Sequence, residues 1–208
     1  DEKLNTIIVD NGSTDNSINW LNDLNIKHSA LVENFGHENA VNHVYDDIKT
    51  KYCLIVDTDI EFTTSIVPYL DYLKDGCVAV GDLINNVKFG ETAIKPRLGA
   101  WFILFDYEKV REAGIDIFRD PTVTDWTYDV GSWFFEQIVN KNLIYHSLSK
   151  NEVNHIAYYE KFIHLGGVSW DMSNGRHGDR FTEIESKRNL VNEKLIEYSN
   201  VDLREKLI

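Results

Sequence analysis

The stretch KTKYCLIVDTDIEF, residues 49–62, limits the possible folds more than any other part of the chain. Four apolar residues, Cys53 to Val56, run without a break into Asp57-Thr58-Asp59, and Glu61 follows two residues later. A short uninterrupted apolar run bounded by polar turns suits a strand covered on both faces, as in a parallel sheet with helices on either side. Such a strand delivers at least two carboxylates to one spot. They repel one another unless a cation sits among them.

The neighbouring segments alternate in the same way. Leu4–Val9 reads as a strand, followed by the turn residues Asn11-Gly12-Ser13-Thr14-Asp15 and a short helix to Leu24 capped by Asp15 or Ser17. Ser29–Val32 is a second strand. Residues 38–48 place Ala40, Val41, Val44, Tyr45 and Ile48 at helical spacing. A helix opening at Thr64 or Ser65 carries Ile66, Val67, Leu70 and Leu73, and Val78–Val80 is a further strand. Strands alternating with helices predict an α/β fold with a mostly parallel central sheet. Beyond Gly81 the pattern loosens into a strand at Gly99–Phe105, helices at Tyr107–Ala113 and Val130–Val139, and a strand at Leu143–Tyr145. Residues 146–181 show little period, and residues 182–208 read as amphipathic helix.

With 208 residues, 43% of them hydrophobic, the chain is long enough for one globular domain. That domain divides into residues 1–81, 82–181 and a C-terminal segment 182–208. The formal net charge of -13 and the lack of any basic cluster longer than Lys187-Arg188 argue against nucleic acid as a partner. No apolar stretch approaches the ~20 residues of a bilayer span, and no signal peptide is visible. Cys53 and Cys77 read as small core residues in a reducing compartment, so a cytoplasmic location is expected.

Ligands of open α/β sheets bind beyond the carboxyl ends of the strands. If the strands ending in Asp10 and in Asp57 are parallel, Asp10, Asp57 and Asp59 share a rim. A hard divalent ion with open positions for phosphate oxygens then answers their repulsion. The plainer reading of Asp57-Thr58-Asp59 is a polar turn. The sequence TIIVDNGSTDNS (6–17), then NFGHENAVNHV (34–44), then CLIVDTDIEF, resembles family 2 glycosyltransferases of the GT-A fold, in which three such blocks follow in this order.

The resemblance implies roles at matching positions. Asp10 would contact the base or ribose of a nucleotide-sugar donor. Asn34, Gly36 and Asn39 would shape the donor pocket, and Asp57 would lie near the ribose or sugar. Asp59 would hold Mn²⁺ or Mg²⁺ on the diphosphate, with His164 reaching back to the same ion and His155 as its competitor. Asp129 would be the general base on an acceptor hydroxyl, ahead of Asp125 and Glu136. The acceptor would be a glycan, a lipid-linked group or a small molecule, and inversion is the expected stereochemistry. Asp129 is equally a candidate helix cap, and a lone histidine is commonly structural.

Trp101 and Trp133 lie in apolar runs and read as core, whereas Trp126 and Trp170 are candidates for stacking on sugar. Arg176, His177 and Arg180 could bind diphosphate or form a polar loop. The family pattern also has a strand and helix ahead of VDNGSTD, where only residues 1–5 stand here. A gap in the sheet, or its filling by a neighbouring chain in a homo-oligomer, is therefore expected. So is a second reading of the whole chain, as a shortened non-catalytic nucleotide-sugar-binding homologue. Haloacid dehalogenase phosphatases are excluded by Glu61, where their motif has threonine. An EF-hand fails because Leu21 occupies the closing position of the loop.

Overall fold

The computed structural model describes residues 5–153 and 156–166, together with residue 189. The helices expected after Thr182, and the expectations for His155, Trp170, Arg176, His177 and Arg180, lie outside the described residues. In chain order the elements are β1 (Ile8–Asp10), α1 (Ser17–Asp23), β2 (His28–Ala30), α2 (His37–Tyr45), β3 (Tyr52–Val56) and β4 (Ile60–Phe62). There follow α3 (Tyr69–Lys74), β5 (Ala79–Ile84), β6 (Lys88–Phe89), β7 (Thr92–Ala93), β8 (Arg97–Asp106) and α4 (Tyr107–Glu112). The last are α5 (Ser132–Asn140), β9 (Tyr145–Ser147), β10 (Lys150–Val153), β11 (Ile156–Tyr159) and β12 (Phe162–His164).

The described residues form two compact units. One comprises residues 5–56 with 67–148, the other 57–66 with the described residues from 149 to 166. The first unit contains a four-stranded sheet in the order β3-β8-β5-β9 and a separate parallel pair, β1-β2. The second contains the antiparallel sheet β10-β11-β12-β4.

The fold is α/β as the alternation predicts, but the main sheet is mixed where a mostly parallel one is expected. β8 runs antiparallel to both β3 and β5, and only β5 and β9 are parallel within it. The reason lies between Ile84 and Arg97, where the chain folds into the β6-β7 hairpin and supplies no crossover helix. Without a crossover the next strand returns antiparallel. Where α1 does cross over, β1 and β2 are parallel.

β8 is the axis of the first unit. Phe102, Ile103, Leu104 and Phe105 are all at most 4% exposed. Below the sheet α5 presents Phe134, Phe135 and Ile138, one helical face, to Ile103 and Phe105. The Phe105 and Phe134 rings meet at 5.4 Å, and Phe118 stacks on Phe134 at 5.1 Å. Tyr45 closes the cluster from the end of α2, stacked at 6.4 Å on Phe105, with its hydroxyl donated to the Ile115 carbonyl at 3.3 Å. Burial pushes the Tyr45 phenol well above its usual pKa.

Element ends shift for local reasons. The helix expected from Thr64 begins only at Tyr69, because Pro68 occupies its N-cap. The helix expected to reach Ile48 stops at Tyr45, and Asp46-Asp47 form a turn. Among the described residues no helix is long and apolar enough to cross a membrane. Cys53 and Cys77 are free thiols, and burial pushes Cys53 up to about 12.

Candidate functional site

The first two sequence blocks meet at the carboxyl end of the β1-β2 pair. Asp10 is 7% exposed and its Oδ1 accepts from the Ser13 amide at 2.9 Å, folding Asp10-Asn11-Gly12-Ser13 into a tight turn. Gly12 has φ +76°, and a Cβ there would lie 2.3 Å from the Glu33 carbonyl carbon. Only glycine lets this turn lie flat against residues 33–34. The Leu31 amide donates to the Asp10 carbonyl at 2.9 Å. Asn11 then locks the second block. Its Nδ2 donates to Asn34 Oδ1 at 3.1 Å, and its Oδ1 accepts from the Phe35 amide at 3.1 Å.

Asn34 Oδ1 also accepts from the Gly36 amide at 2.8 Å, and Asn39 Nδ2 donates to the Phe35 carbonyl at 2.8 Å. Gly36, at φ +86°, is the N-cap of α2. Beside this knot lies an open cavity of about 550 Å³, walled by Leu31, Val32 and Phe35 with Asn39, Asn42 and His43 on its polar side. That volume falls in the range of small-molecule sites. Asn34, Gly36 and Asn39 thus belong to one hydrogen-bonded cluster with Asn11 and Phe35, and Asp10 heads the turn that carries Asn11 into it.

Arg119 and Glu38 brace α2 from the other side. Arg119 Nη1 meets Glu38 Oε2 at 2.6 Å, with both side chains under a fifth exposed. Asn42 Oδ1 accepts from the Phe118 and Arg119 amides at 2.8 and 3.2 Å. Burial raises the Glu38 pKa above its usual value, with Arg119 opposing it.

The second unit begins with the turn Asp57-Thr58-Asp59, which follows β3 in the chain, and continues into β4. β4 pairs antiparallel with β12, placing Ile60 opposite His164, and the Leu165 amide donates to the Asp59 carbonyl at 3.1 Å. This ladder brings His164 Nε2 to 3.5 Å from Asp59 Oδ1, both side chains being 13% exposed. At that separation the pair is too long for a good hydrogen bond, and among the described residues Asp59 Oδ1 is a buried atom with no hydrogen-bond partner. Two ligands of one ion at ~2.1 Å stand about 3 Å apart, so the pair fits a shared divalent cation. Two protein ligands also suit an ion that takes its remaining oxygens from phosphate. Among the described residues no group of three or more such side chains gathers around one point.

Asp129 precedes α5 but does not cap it; Gly131 is the N-cap. The Asp129 carboxylate accepts from its neighbour's amide, Val130 N, at 2.8 Å through Oδ1, and pairs with Arg97 Nη2 at 2.8 Å through Oδ2. Its side chain is 41% exposed and Arg97 12%. Glu136, one of the competing acids, is bonded to Lys95 Nζ at 2.8 Å and to the Tyr128 hydroxyl. Burial would raise the Glu136 pKa, but the bonds from Lys95 and Tyr128 outweigh it and hold it below the usual value. Asp125, the other, is lowered by its bonds from Thr127. Trp126 is 61% exposed, while Trp101 and Trp133 are half-buried.

Sequence reading missed Arg97, Arg119, Glu38, Asn11 and Asn42. All five act on partners at least 23 residues away, and lone polar residues carry no periodic signal. Asn11 could have been found, since Asn-Gly after a strand announces a side-chain-bonded turn.

No curated protein matches the chain. Among solved structures, a mannosyltransferase from Pyrobaculum calidifontis in complex with GDP-mannose and Mn²⁺ is 15% identical, with a TM-score of 0.47 over 68% of this chain and 44% of that one. The chain therefore spans less than half the length of that enzyme. A197 from STIV is 14% identical, with a TM-score of 0.41 over 76% of this chain and 91% of its own. The family model described as Glycosyl transferase family 2 matches residues 1–125, a span that holds both the Asp10 turn and the Asp57-Thr58-Asp59 turn. The chain belongs to glycosyl transferase family 2.

Proposed function

We propose that the chain transfers a sugar from a nucleoside-diphosphate donor to a hydroxyl acceptor, with inversion and with help from a divalent cation. The observation that carries this reading is the partly buried Asp59–His164 pair, whose Asp59 Oδ1 lies 3.5 Å from the imidazole and accepts no hydrogen bond among the described residues. Asp59 and His164 would hold Mn²⁺ or Mg²⁺, and imidazole favours Mn²⁺. Such an ion supplies charge neutralisation for a departing diphosphate.

The chain's own residues do the rest. The cavity beside Phe35 takes the base, and Asp10, Asn34, Gly36 and Asn39 fix the nucleoside. Asp57 lies near the ribose or sugar. Asp129 accepts the proton of the acceptor hydroxyl as that oxygen bonds to the anomeric carbon and the diphosphate leaves with the bonding electrons. Arg97, paired with the carboxylate at 2.8 Å, orients Asp129 for this. Trp126 offers an exposed ring to a sugar face. The acceptor is a glycan, a lipid-linked group or a small molecule.

Asp129→Asn keeps the shape and the bond from Val130 but cannot take a proton. Transfer measured with Mn²⁺ and a panel of nucleotide sugars should fall by ~10³-fold or more, with donor binding unchanged. Full activity in that variant removes Asp129 from the base role. A second reading rests on the same contacts: because both Asp129 oxygens are engaged, a chain that binds donor without turnover would also look like this. Donor binding in the native chain, with neither transfer nor hydrolysis under any acceptor, would select it.

A further inference from the structure

We infer, building on the transfer reaction proposed above, that the acceptor is a saccharide free of anionic groups, seated on the turn Asp125-Trp126-Thr127-Tyr128, and that phosphate-bearing acceptors are rejected there. Trp126 is 61% exposed, yet the turn that carries it is firmly held. The Tyr128 amide donates to the Asp125 carbonyl at 3.2 Å, and the Thr127 amide and hydroxyl donate to Asp125 Oδ1 at 2.9 and 2.8 Å. From outside the turn, the Lys95 amide donates to the Thr127 carbonyl at 2.9 Å.

Side chains add a second clamp. Glu136, on α5, accepts from Lys95 Nζ at 2.8 Å through Oε1 and from the Tyr128 hydroxyl through Oε2. Lys95 Nζ also lies 4.8 Å from the centre of the Tyr128 ring. A large ring presented on a turn that is already ordered loses little freedom when a ligand covers it. A sugar offers such a ring a flat C–H face with hydroxyls at its rim. Asp125, next to Trp126, is exposed, and its Oδ1 takes both bonds from Thr127. That leaves Oδ2 to accept from a sugar hydroxyl in a charge-assisted bond. Asp129, the proposed base, follows on the same segment.

Charge selects among acceptors. The cations between residues 95 and 136 are Lys95, Arg97, Lys109, Arg111 and Arg119. Each pairs with a carboxylate at 3.5 Å or less: Glu136, Asp129, Asp106, Asp46 and Glu38 in turn. Asp120 and Asp125 have no such partner among the described residues, and bonds from Thr122 and Thr127 hold their pKa values below the usual range. A phosphate brought to this turn meets negative charge with no cation to spare, whereas a neutral saccharide meets hydrogen-bonding groups and a ring.

The indole N–H signals of the full chain, followed by two-dimensional NMR, report on the site; Trp126→Phe assigns the Trp126 signal by its loss. The probes are cellobiose, maltose and chitobiose, and the phosphate ester of whichever binds. At least one neutral disaccharide should shift the Trp126 signal ahead of the other tryptophans. Asp125→Asn should weaken that response about 5-fold, and the phosphate ester should bind the native chain at least ~10-fold more weakly at low salt. No shift at Trp126 with any neutral disaccharide, or an equal response to the phosphate ester, would overturn the inference. So would transfer by the native chain onto a polyprenyl phosphate and onto no saccharide, a result that leaves the transferase reading standing. A Trp126 signal that responds to sugar in a chain that binds no nucleoside diphosphate would sink the transferase reading instead and leave the saccharide seat supported.

Discussion

Gly12 is where a single atom has the largest consequence. Its φ of +76° and the 2.3 Å that would separate a Cβ from the Glu33 carbonyl carbon leave no room for alanine. Gly12→Ala should cost about 2 kcal/mol or more, read from urea unfolding, and should loosen the Asn11–Asn34 knot that shapes the cavity. Glu38 gives a pH test. Its raised pKa means the folded chain holds an extra proton just above the usual carboxylate value, so Glu38's contribution to stability falls as pH rises through that window. Unfolding measured at several pH values between ~4 and ~7 should show this downward component in the native chain and its loss in Glu38→Gln. Equal slopes in the two proteins would show that Glu38 is not desolvated.

At the level of elements, β8 and α5 hold the first unit together. Phe105 is fully buried between Tyr45 and Phe134, so Phe105→Ala should cost about 3–5 kcal/mol by urea unfolding. A loss under ~1 kcal/mol would mean the cluster repacks. These elements were legible because their period is local: the apolar face of α5 and the run Gly99–Phe105 announce themselves within a few residues. The direction of β8 was not, since it depends on a missing crossover helix rather than on its own residues. The ends of α3 and α2 moved for similarly local reasons, a proline and an acidic turn, that periodicity averages away.

Across the whole molecule, the ordered blocks at Asp10, Asn34 and Asp57-Thr58-Asp59 were legible as motifs, and with them the family. The pairing of His164 with Asp59, which are 105 residues apart in the numbering, was legible only through that resemblance, and the β4-β12 ladder now supplies its physical cause. The ion pair of Asp129 with Arg97 was invisible, because nothing in KPRLGAW marks which carboxylate its arginine meets. In the proposed reaction a chain with a formal charge of -13 repels an anionic donor, and a bound cation would bridge the two. The most direct measurement is a titration of Mn²⁺ followed by its electron paramagnetic resonance signal, with UDP or GDP present and absent, in the native chain and in Asp59→Ala. At least one nucleoside diphosphate should tighten Mn²⁺ binding to the native chain about 10-fold or more, and that gain should vanish in Asp59→Ala. Identical titrations of the two proteins would contradict the account.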